Sequence, residues 1–479
     1  MPADTSRPVE TNASAEIDRI FALQKAAFAA EPNPSREKRI ARLDAIIEAV
    51  EKNEARIVKA IAEDFGARPA AETVSAEIII SIGAARLAKK SLSKWMQPRN
   101  VTTPLYLKPA KSRVIPQPLG IVGIISPWNY PVQLALSPAV AALAAGNNVM
   151  IKPSELTPRT SDLLKEILGA VFDERTLAVI TGGVETGEAF TNIPFDHLLF
   201  TGSTSIGRKV AEAAAKNLTP VTLELGGKSP AIIDDSADLA RAARSIAYGK
   251  TYNAGQTCVA PDYVLAPKGK LDATVEAIAA AARDLYPEID TTPDYTSIVS
   301  DRHFARLKSM VDEARAAGAR IVEVGSQNAL HPQRKLPLTL VVEPPASTRV
   351  MREEIFGPVL PLLSVSDADD AIGRVNGGDR PLALYWFGAD DAARDKVLRN
   401  TVSGGVTVND TLMHVAQEHL PFGGVGESGS GAYHGEKGFE TFSHMKPVFY
   451  QSRFSGGKRL QPPFSAATMR TLSLLKKII

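Results

Sequence analysis

The sequence predicts an α/β protein with two domains, each built around a parallel sheet. From Ile121 onward, short apolar runs typical of buried strands alternate with amphipathic segments typical of helices. The chain has 479 residues, which is too many for a single hydrophobic core. The alternation restarts after residues 221–225, so we place the junction of the two domains near residues 224–227.

The N-terminal part is predicted to be helical. Residues 17–30, 35–53 and 54–65 carry apolar side chains at three- and four-residue spacing. Residues 101–118 lack this periodicity, and they predict an extended hairpin whose exposed edge is suited to pairing with a second subunit.

Strands and helices alternate through the rest of the chain. In the first domain we predict strands at 121–125, 148–151, 177–180, 197–200 and 221–225, and helices at 132–145, 161–171 and 205–216. In the second we predict strands at 263–266, 338–342, 359–365, 382–387 and 405–408, and helices at 239–253, 271–285, 301–317, 367–375 and 391–400. Ligands of such sheets bind at the carboxyl ends of the strands.

The C-terminal residues 464–479 form an amphipathic, basic segment after two prolines. A helix of this kind can lie on a membrane surface. We favour a helix docked on its own domain or on a partner subunit. Sixteen residues are too few for a membrane-spanning helix.

Composition narrows the functional class. Hydrophobic residues make up 44% and charged residues 23% of the chain, which is ordinary for a soluble globular enzyme. The 55 basic residues nearly match the 53 acidic ones, so nucleic-acid binding is not indicated. Residues 1–16 are polar and lack the apolar centre of a signal peptide, which favours a cytoplasmic location.

The chain contains one cysteine, Cys258, which therefore cannot form an internal disulfide. A single cysteine is most often a small buried apolar side chain. Here it follows a polar run that includes Asn253, Gln256 and Thr257. The other interpretation is a nucleophile, which attacks an electrophilic carbon as the thiolate if its pKa is lowered.

Two strand ends carry candidate nucleotide contacts. Gly202, Ser203 and Gly207 lie in a turn between a strand and a helix, where free amides can bind phosphate, although an ordinary turn is the commoner explanation. Lys152 and Glu155 follow another strand and could hold ribose hydroxyls. A solvated surface pair is the alternative.

Two further polar residues lie in apolar or rigid surroundings. Glu224 is a carboxylate inside an apolar run, where it is either a general base with a raised pKa or part of a structural salt bridge. Asn129 lies between Pro127 and Pro131, so its amide is either an oxyanion donor or a turn residue.

Together, these motifs resemble the aldehyde dehydrogenase superfamily over residues 15–450. Glu224 and Cys258 are 34 positions apart, which is the separation between base and nucleophile in this family. Residues 409–414 and 433–435, the short N-terminus and the extended C-terminal segment resemble the class three branch, near which bacterial coniferyl aldehyde dehydrogenases lie.

The resemblance implies a mechanism. Cys258 would attack the aldehyde carbon to give a thiohemiacetal, whose oxyanion is held by the Asn129 amide and the Cys258 backbone N–H. One such donor is typically worth about 3–4 kcal/mol of barrier. Hydride transfer to a nicotinamide would leave a thioester, and Glu224 would activate the water that releases the acid and would help to deprotonate the thiol. The presence of Glu224 favours a free acid as product over acyl transfer to coenzyme A.

The resemblance also implies a nicotinamide cofactor and no metal. The matching positions are Gly202, Ser203 and Gly207 for the pyrophosphate, Lys152 with Glu155 for the adenosine ribose, Glu354 and Phe356 for the nicotinamide ribose and ring, and Trp128 beside the cofactor. Glu155 would repel a 2′-phosphate and so favours NAD. Class three relatives often accept both cofactors, so NADP stays an alternative.

The implied architecture is a Rossmann-like cofactor domain joined to an α/β catalytic domain, with a small β bridging and oligomerisation element. We assign residues 1–98 and 119–224 to the first, 225–428 to the second, 99–118 and 429–455 to the bridging segments, and 456–479 to a tail. A homodimer is predicted, with a strand near 446–450 extending a sheet across subunits.

An apolar or aromatic aldehyde, similar to coniferyl aldehyde, is the predicted substrate. The candidate lining is mostly uncharged and consists of Tyr130, Leu134, Thr257, Val259, Met413 and Val415. A cysteine hydrolase without a redox cofactor is the main alternative, although none of the seven histidines lies near Cys258 in sequence. A non-catalytic protein is disfavoured, because it would be expected to lose part of the set Asn129, Glu224, Cys258 and Glu354.

Overall fold

The computed structural model describes residues 7–289, 292–325, 333–454 and 460–477. It confirms the α/β class, with a six-stranded, a seven-stranded and a three-stranded sheet. The strands are β1 (Arg99–Val101), β2 (Lys111–Pro118), β3 (Ile121–Ile125), β4 (Asn148–Lys152), β5 (Leu177–Val179), β6 (His197–Thr201), β7 (Val221–Glu224), β8 (Pro230–Ile233), β9 (Tyr263–Pro267), β10 (Arg320–Glu323), β11 (Thr339–Val342), β12 (Val359–Val365), β13 (Ala383–Phe387), β14 (Gly405–Val408), β15 (Gly429–Ser430) and β16 (Ser443–Tyr450).

Helices cover the faces of these sheets. They are α1 (Arg7–Ala30), α2 (Arg36–Lys52), α3 (Glu54–Phe65), α4 (Ala70–Thr73), α5 (Ile80–Trp95), α6 (Gln133–Ala145), α7 (Pro158–Gly169), α8 (Val184–Thr191), α9 (Thr204–Lys216), α10 (Leu239–Thr251), α11 (Leu271–Leu285), α12 (Asp301–Ala316), α13 (Arg349–Arg352), α14 (Ala368–Asn376), α15 (Asp391–Asn400), α16 (Met413–Ala416), α17 (Gly435–Thr441) and α18 (Ala466–Leu475). The stretch between α4 and α5, Val74–Ile79, is π-helical.

The six-stranded sheet has the order β15-β7-β6-β3-β4-β5. Strands β3 to β7 run parallel, whereas β15 pairs antiparallel with β7. Every residue of α6 is buried, which places this helix in the core beneath the turn that follows β3. The carboxyl ends of β3, β4, β6 and β7 therefore meet at one edge of the sheet.

The seven-stranded sheet has the order β10-β11-β12-β9-β8-β13-β14. Only its edge strand β10 is antiparallel to its neighbour. Strands β8 and β10 and helices α4, α5 and α8 were not predicted from the sequence. In α4 and α5 the buried polar residues Glu72 and Ser81, with Glu77 between the two helices, interrupt the apolar pattern that indicates a helix.

The three-stranded sheet has the order β1-β2-β16, and β16 pairs with β2 of the same chain along its length. The predicted hairpin at 101–118 is correct for its flanks but wrong at its centre. There, Leu105–Leu107 forms a 3₁₀ turn, because Pro104 and Pro109 supply no N–H for a strand ladder. The domain boundaries stay a prediction.

The predicted C-terminal helix is present as α18. Its side chains Met469 and Leu474 are exposed, so they do not attach it to its own domain. The first residues of the predicted tail, 456–459, and its last two, 478–479, lie outside the described residues, as do residues 1–6. Within the described ranges, no helix is long and apolar enough to cross a membrane.

Candidate active site

Four strands of the six-stranded sheet bring predicted site residues to one edge. Trp128 follows β3, Lys152 ends β4, Gly202 follows β6 and Glu224 ends β7. Since these strands are parallel and adjacent in the order β7-β6-β3-β4, the four residues lie along the same edge. The fold thus collects positions that are far apart in the sequence.

The segment before Cys258 is held by its polar side chains. The predicted helix 239–253 ends early, at Thr251, because Asn253 and Ala254 adopt left-handed backbone angles (φ 50° and 51°). The Asn253 side chain donates to the carbonyls of Asn129 and Gln256, at 3.1 Å each. The polar run that marked this cysteine in the sequence therefore shapes the loop that carries it.

The Glu224 carboxyl lies beside the half-buried Cys258 thiol. Glu224 is 1% exposed, and neither of its carboxyl oxygens has a hydrogen bond of normal geometry to any described residue. Burial, with a smaller contribution from the Glu354 carboxyl, raises the pKa of Glu224 to about 8. No cation in the described chain pairs with it, so the geometry does not support the alternative of a structural salt bridge.

The condition that a thiolate nucleophile needs, a lowered thiol pKa, is not met by the surroundings of Cys258. Burial and the nearby carboxyls of Glu224 and Glu354 raise the pKa of Cys258 well above its ordinary value. The thiol is therefore protonated at neutral pH and needs a base. Glu224 is the carboxyl positioned to act as that base.

Asn129 lies against the cysteine loop. Its side-chain amide donates to the Gln256 carbonyl at 3.2 Å, and its backbone carbonyl oxygen accepts from Arg68 at 3.0 Å. The adjacent Tyr130 hydroxyl is hydrogen bonded to that of Thr257 at 2.6 Å. These contacts fix the amide two residues from the thiol along the loop, where it can reach an oxyanion formed on the attacked carbon.

The predicted cofactor positions of the first domain lie just beyond the carboxyl ends of β4 and β6. Helix α9 begins at Thr204, the Ser203 side chain caps none of its amides, and its first turn has no acidic residue, so the end can accept a phosphate. A Cβ at Gly207 would lie 2.6 Å from Leu225, so glycine lets α9 pack closely there. The Lys152 ammonium lies 3.4 Å from the Glu155 carboxylate.

Two further predicted cofactor residues, Glu354 and Phe356, lie in the loop before β12. The Glu354 carboxyl lies directly over Gly226, where any Cβ would collide with it. Burial and the neighbouring Asp262 carboxylate raise the pKa of Glu354 to about 8. Phe356 has a left-handed backbone (φ 53°), and its ring meets Trp128 edge-on at 5.4 Å between centroids.

Sequence reasoning missed the residues that hold this loop. Arg306 donates to the carbonyls of Glu354 and Ile355, and the Ile355 N–H donates to Asp262 at 3.0 Å. Lys228 pairs with Asp262 and donates to the Glu353 carbonyl at 3.0 Å. Lys228 follows two glycines, which was a usable signal, whereas Asp262 and Arg306 carried none.

The predicted substrate lining is only partly enclosed. Tyr130, Leu134, Thr257 and Val259 are buried, and Met413 is exposed at the start of α16. Among the described residues, no group of three or more potential ligands could hold a metal ion. No histidine of the described ranges is hydrogen bonded to Cys258. His331 lies outside these ranges.

Comparisons with known proteins agree on one family. The sequence model of the aldehyde dehydrogenase family matches residues 3–448. The "Probable coniferyl aldehyde dehydrogenase" of Caulobacter vibrioides is 49% identical over 467 residues, which is 96% of each chain. The structure of a substrate-bound state of Staphylococcus aureus AldH superposes with a TM-score of 0.91 at 38% identity, covering 96% of this chain and 99% of that one. A Mycobacterium tuberculosis aldehyde dehydrogenase complexed with NAD⁺ gives 0.82 at 30% identity, covering 92% and 90%.

Proposed function

The chain belongs to the aldehyde dehydrogenase family and is an NAD(P)-dependent oxidoreductase, and from that premise we propose that Cys258, Glu224 and Asn129 carry its chemistry. One observation supports this assignment above all others. The Glu224 carboxyl is buried beside the only thiol of the chain, and no cation of the described residues pairs with it. A buried carboxyl without a partner costs free energy of folding, which is expected where the group is needed for proton transfer.

Glu224 would act in two steps. It first takes the proton of the Cys258 thiol, so that the sulfur can attack the aldehyde carbon. The Asn129 amide then turns from the Gln256 carbonyl to the oxyanion of the thiohemiacetal. After the oxidation, Glu224 releases the thiol proton to solvent and then takes a proton from the water that attacks the thioester. It returns this proton to the Cys258 thiolate as the carboxylic acid leaves. A pKa near 8 suits a base that works near neutral pH.

The cofactor supplies the hydride acceptor when it is bound. Glu354 and Phe356 would orient its nicotinamide end, with Trp128 against the Phe356 ring. Helix α9 would hold its pyrophosphate. Glu155, which follows β4, would repel a 2′-phosphate, and the charge of Lys152 is partly neutralised by Glu155. We therefore propose NAD as the preferred cofactor.

The proposed substrate is an aromatic or otherwise apolar aldehyde similar to coniferyl aldehyde. Two observations support it: the uncharged lining, and the names of relatives such as the one from Caulobacter vibrioides. A homodimer is proposed from the three-stranded sheet, where β16 leaves Phe449 and Tyr450 exposed.

Absorbance of reduced nicotinamide tests these proposals. Purified protein is mixed with coniferyl aldehyde, benzaldehyde or hexanal, and with NAD or NADP. Turnover should be fastest with the aromatic aldehydes and NAD, and it should vanish in Cys258→Ala but persist in the exposed control Glu188→Gln. Preference for a short carboxylate-bearing aldehyde over benzaldehyde would contradict the substrate class, and equal rates with NADP would contradict the cofactor preference.

A further inference from the structure

The loop that carries Cys258 begins with a turn in an uncommon backbone conformation. Asn253 and Ala254 both have left-handed angles, with φ of 50° and 51°. Asparagine tolerates such angles, whereas alanine rarely adopts them. Both residues are fully buried, so contacts within the protein must hold the turn in this conformation.

Glu72, on the short helix α4, holds the first residue of this turn. Its carboxyl oxygen Oε2 accepts from the backbone N–H of Asn253 at 3.1 Å and from the Thr296 hydroxyl at 2.8 Å. Glu72 is 7% exposed, and a carboxyl at such a depth is costly unless hydrogen bonds compensate it. The carboxyl thus joins α4 to the segment after α10 and to the segment between α11 and α12.

The side chain of Asn253 connects this turn to Asn129. It donates to the backbone carbonyls of Asn129 and Gln256, at 3.1 Å each, and the Asn129 side-chain amide donates to the same Gln256 carbonyl at 3.2 Å. These bonds form a closed set that ends two residues before Cys258. A shift of Asn253 would therefore move the Asn129 amide relative to the thiol.

A neighbouring hydrogen bond joins the same two segments without touching the turn. The hydroxyls of Tyr252 and Ser75 are hydrogen bonded at 2.7 Å. Tyr252 is half-buried, and its backbone angles (φ −57°, ψ 128°) lie in an ordinary region. Loss of this bond would loosen the connection between the segments but leave the N–H of Asn253 on Glu72.

We propose that Glu72 is a positioning residue, which sets the Asn129 amide against Cys258 through the turn at Asn253 and Ala254. This inference rests on the proposed roles of Asn129 and Cys258. The role of Glu72 requires an acceptor oxygen at a fixed distance rather than a negative charge. An amide oxygen in place of Oε2 can accept the same two hydrogen bonds.

Variants of Glu72 separate reach from charge, with benzaldehyde and NAD as substrates. Glu72→Met removes the acceptor, and Glu72→Asp keeps the charge but is one methylene shorter. We expect kcat to fall about tenfold in both, because a small displacement of the Asn129 amide weakens its hold on the oxyanion. Glu72→Gln should keep kcat close to that of wild type. Dinucleotide binding, measured by calorimetry, should be unchanged in all three.

Tyr252→Phe is the matched control, because it removes one hydrogen bond between the same segments. It should keep the kcat of wild type. Equal losses of kcat in Tyr252→Phe and Glu72→Asp would overturn the proposal, since they would show that general loosening explains both. A kcat for Glu72→Gln as low as that for Glu72→Asp would also overturn it. Urea titration shows which variants are folded, and Glu72→Asp decides if Glu72→Met is not.

A double-mutant cycle tests the route through Asn129. On an Asn129→Ala background, Glu72→Asp should lower kcat little further, because the amide that Glu72 positions is absent. A tenfold loss on both backgrounds would contradict this route. Failure of the proposed function is recognised separately, because Cys258→Ala and Asn129→Ala would then oxidise the aldehyde as fast as wild type.

Discussion

Two buried glutamates, Glu77 and Glu224, have opposite surroundings. One Glu77 oxygen accepts from Arg68 at 3.0 Å, and the other accepts from the backbone N–H groups of Val132 and Gln133 at 2.9 and 2.8 Å. These N–H groups belong to the start of α6, where a carboxylate is favoured. Glu224 is as deeply buried, but no cation or backbone N–H of the described residues holds its oxygens.

The difference separates a structural carboxyl from a chemical one. Glu77 and Arg68 are fully desolvated and stabilise each other, and Arg68 also holds the Asn129 carbonyl, so this pair supports the site from behind. Burial raises the pKa of both carboxyls. At Glu224, whose polar neighbours are uncharged groups such as the Cys258 thiol and the Thr201 hydroxyl, the pKa rises to about 8. Burial therefore indicates function only where the hydrogen-bonding capacity is left open.

The largest effect on activity should come from replacing the sulfur of Cys258, which lies beside Glu224. Cys258→Ser replaces sulfur by a much weaker nucleophile, and we expect the rate of aldehyde oxidation to fall by about four orders of magnitude. The urea midpoint should stay that of the wild-type protein, because the side chains are similar in size. Reduced-nicotinamide absorbance and a urea titration check the two halves. A variant that also unfolds at lower urea would mean that this region contributes to stability as Glu77 does.

Asn129 connects the surroundings of Glu77 with those of Glu224. Its backbone carbonyl contacts Arg68, and its side-chain amide faces the loop that carries Cys258. Asn129→Ala removes only the amide, so kcat should fall by about 10²–10³-fold, which corresponds to about 3–4 kcal/mol of barrier. Dinucleotide binding, measured by calorimetry, should persist. Loss of dinucleotide binding with little change in kcat would indicate that Asn129 has a structural role.

Glu77→Gln directly tests the structural role of Glu77. It removes the charge that compensates Arg68 in a buried pair, and we expect the free energy of unfolding to fall by about 3 kcal/mol. Urea titration gives this value, with Glu188→Gln as the exposed control. Stability equal to that of the control would show that hydrogen bonding at Glu77 does not distinguish it from Glu224.

From the sequence, one of these two buried glutamates could be identified as a site residue, and the other was overlooked. Glu224 was identified because it interrupts an apolar run, but Glu77 also precedes three isoleucines and was not singled out. The partners that distinguish them, Arg68 and the amides at the start of α6, lie on other elements. The raised pKa of the Cys258 thiol was not predicted for the same reason, because its burial and the approach of the Glu224 and Glu354 carboxyls arise only in the fold. Order along the chain predicted most strands of the two large sheets and the residues at their ends, but not which polar groups are satisfied.

The smallest predicted effect is a pH dependence of the free energy of unfolding that is specific to Glu224. Its pKa in the folded protein, about 8, lies above the ordinary 4.5, so the folded state keeps a proton that the unfolded state loses between these values. The free energy of unfolding contributed by this group is therefore complete below pH 4.5 and declines as the pH rises to 8. Glu224→Gln removes this decline, so the variant should gain at least about 1 kcal/mol over wild type between pH 5 and pH 8. Parallel urea titrations at both pH values measure the gain. A constant difference between the two proteins would mean that Glu224 ionises normally, and the contrast with Glu77 would then rest on geometry alone.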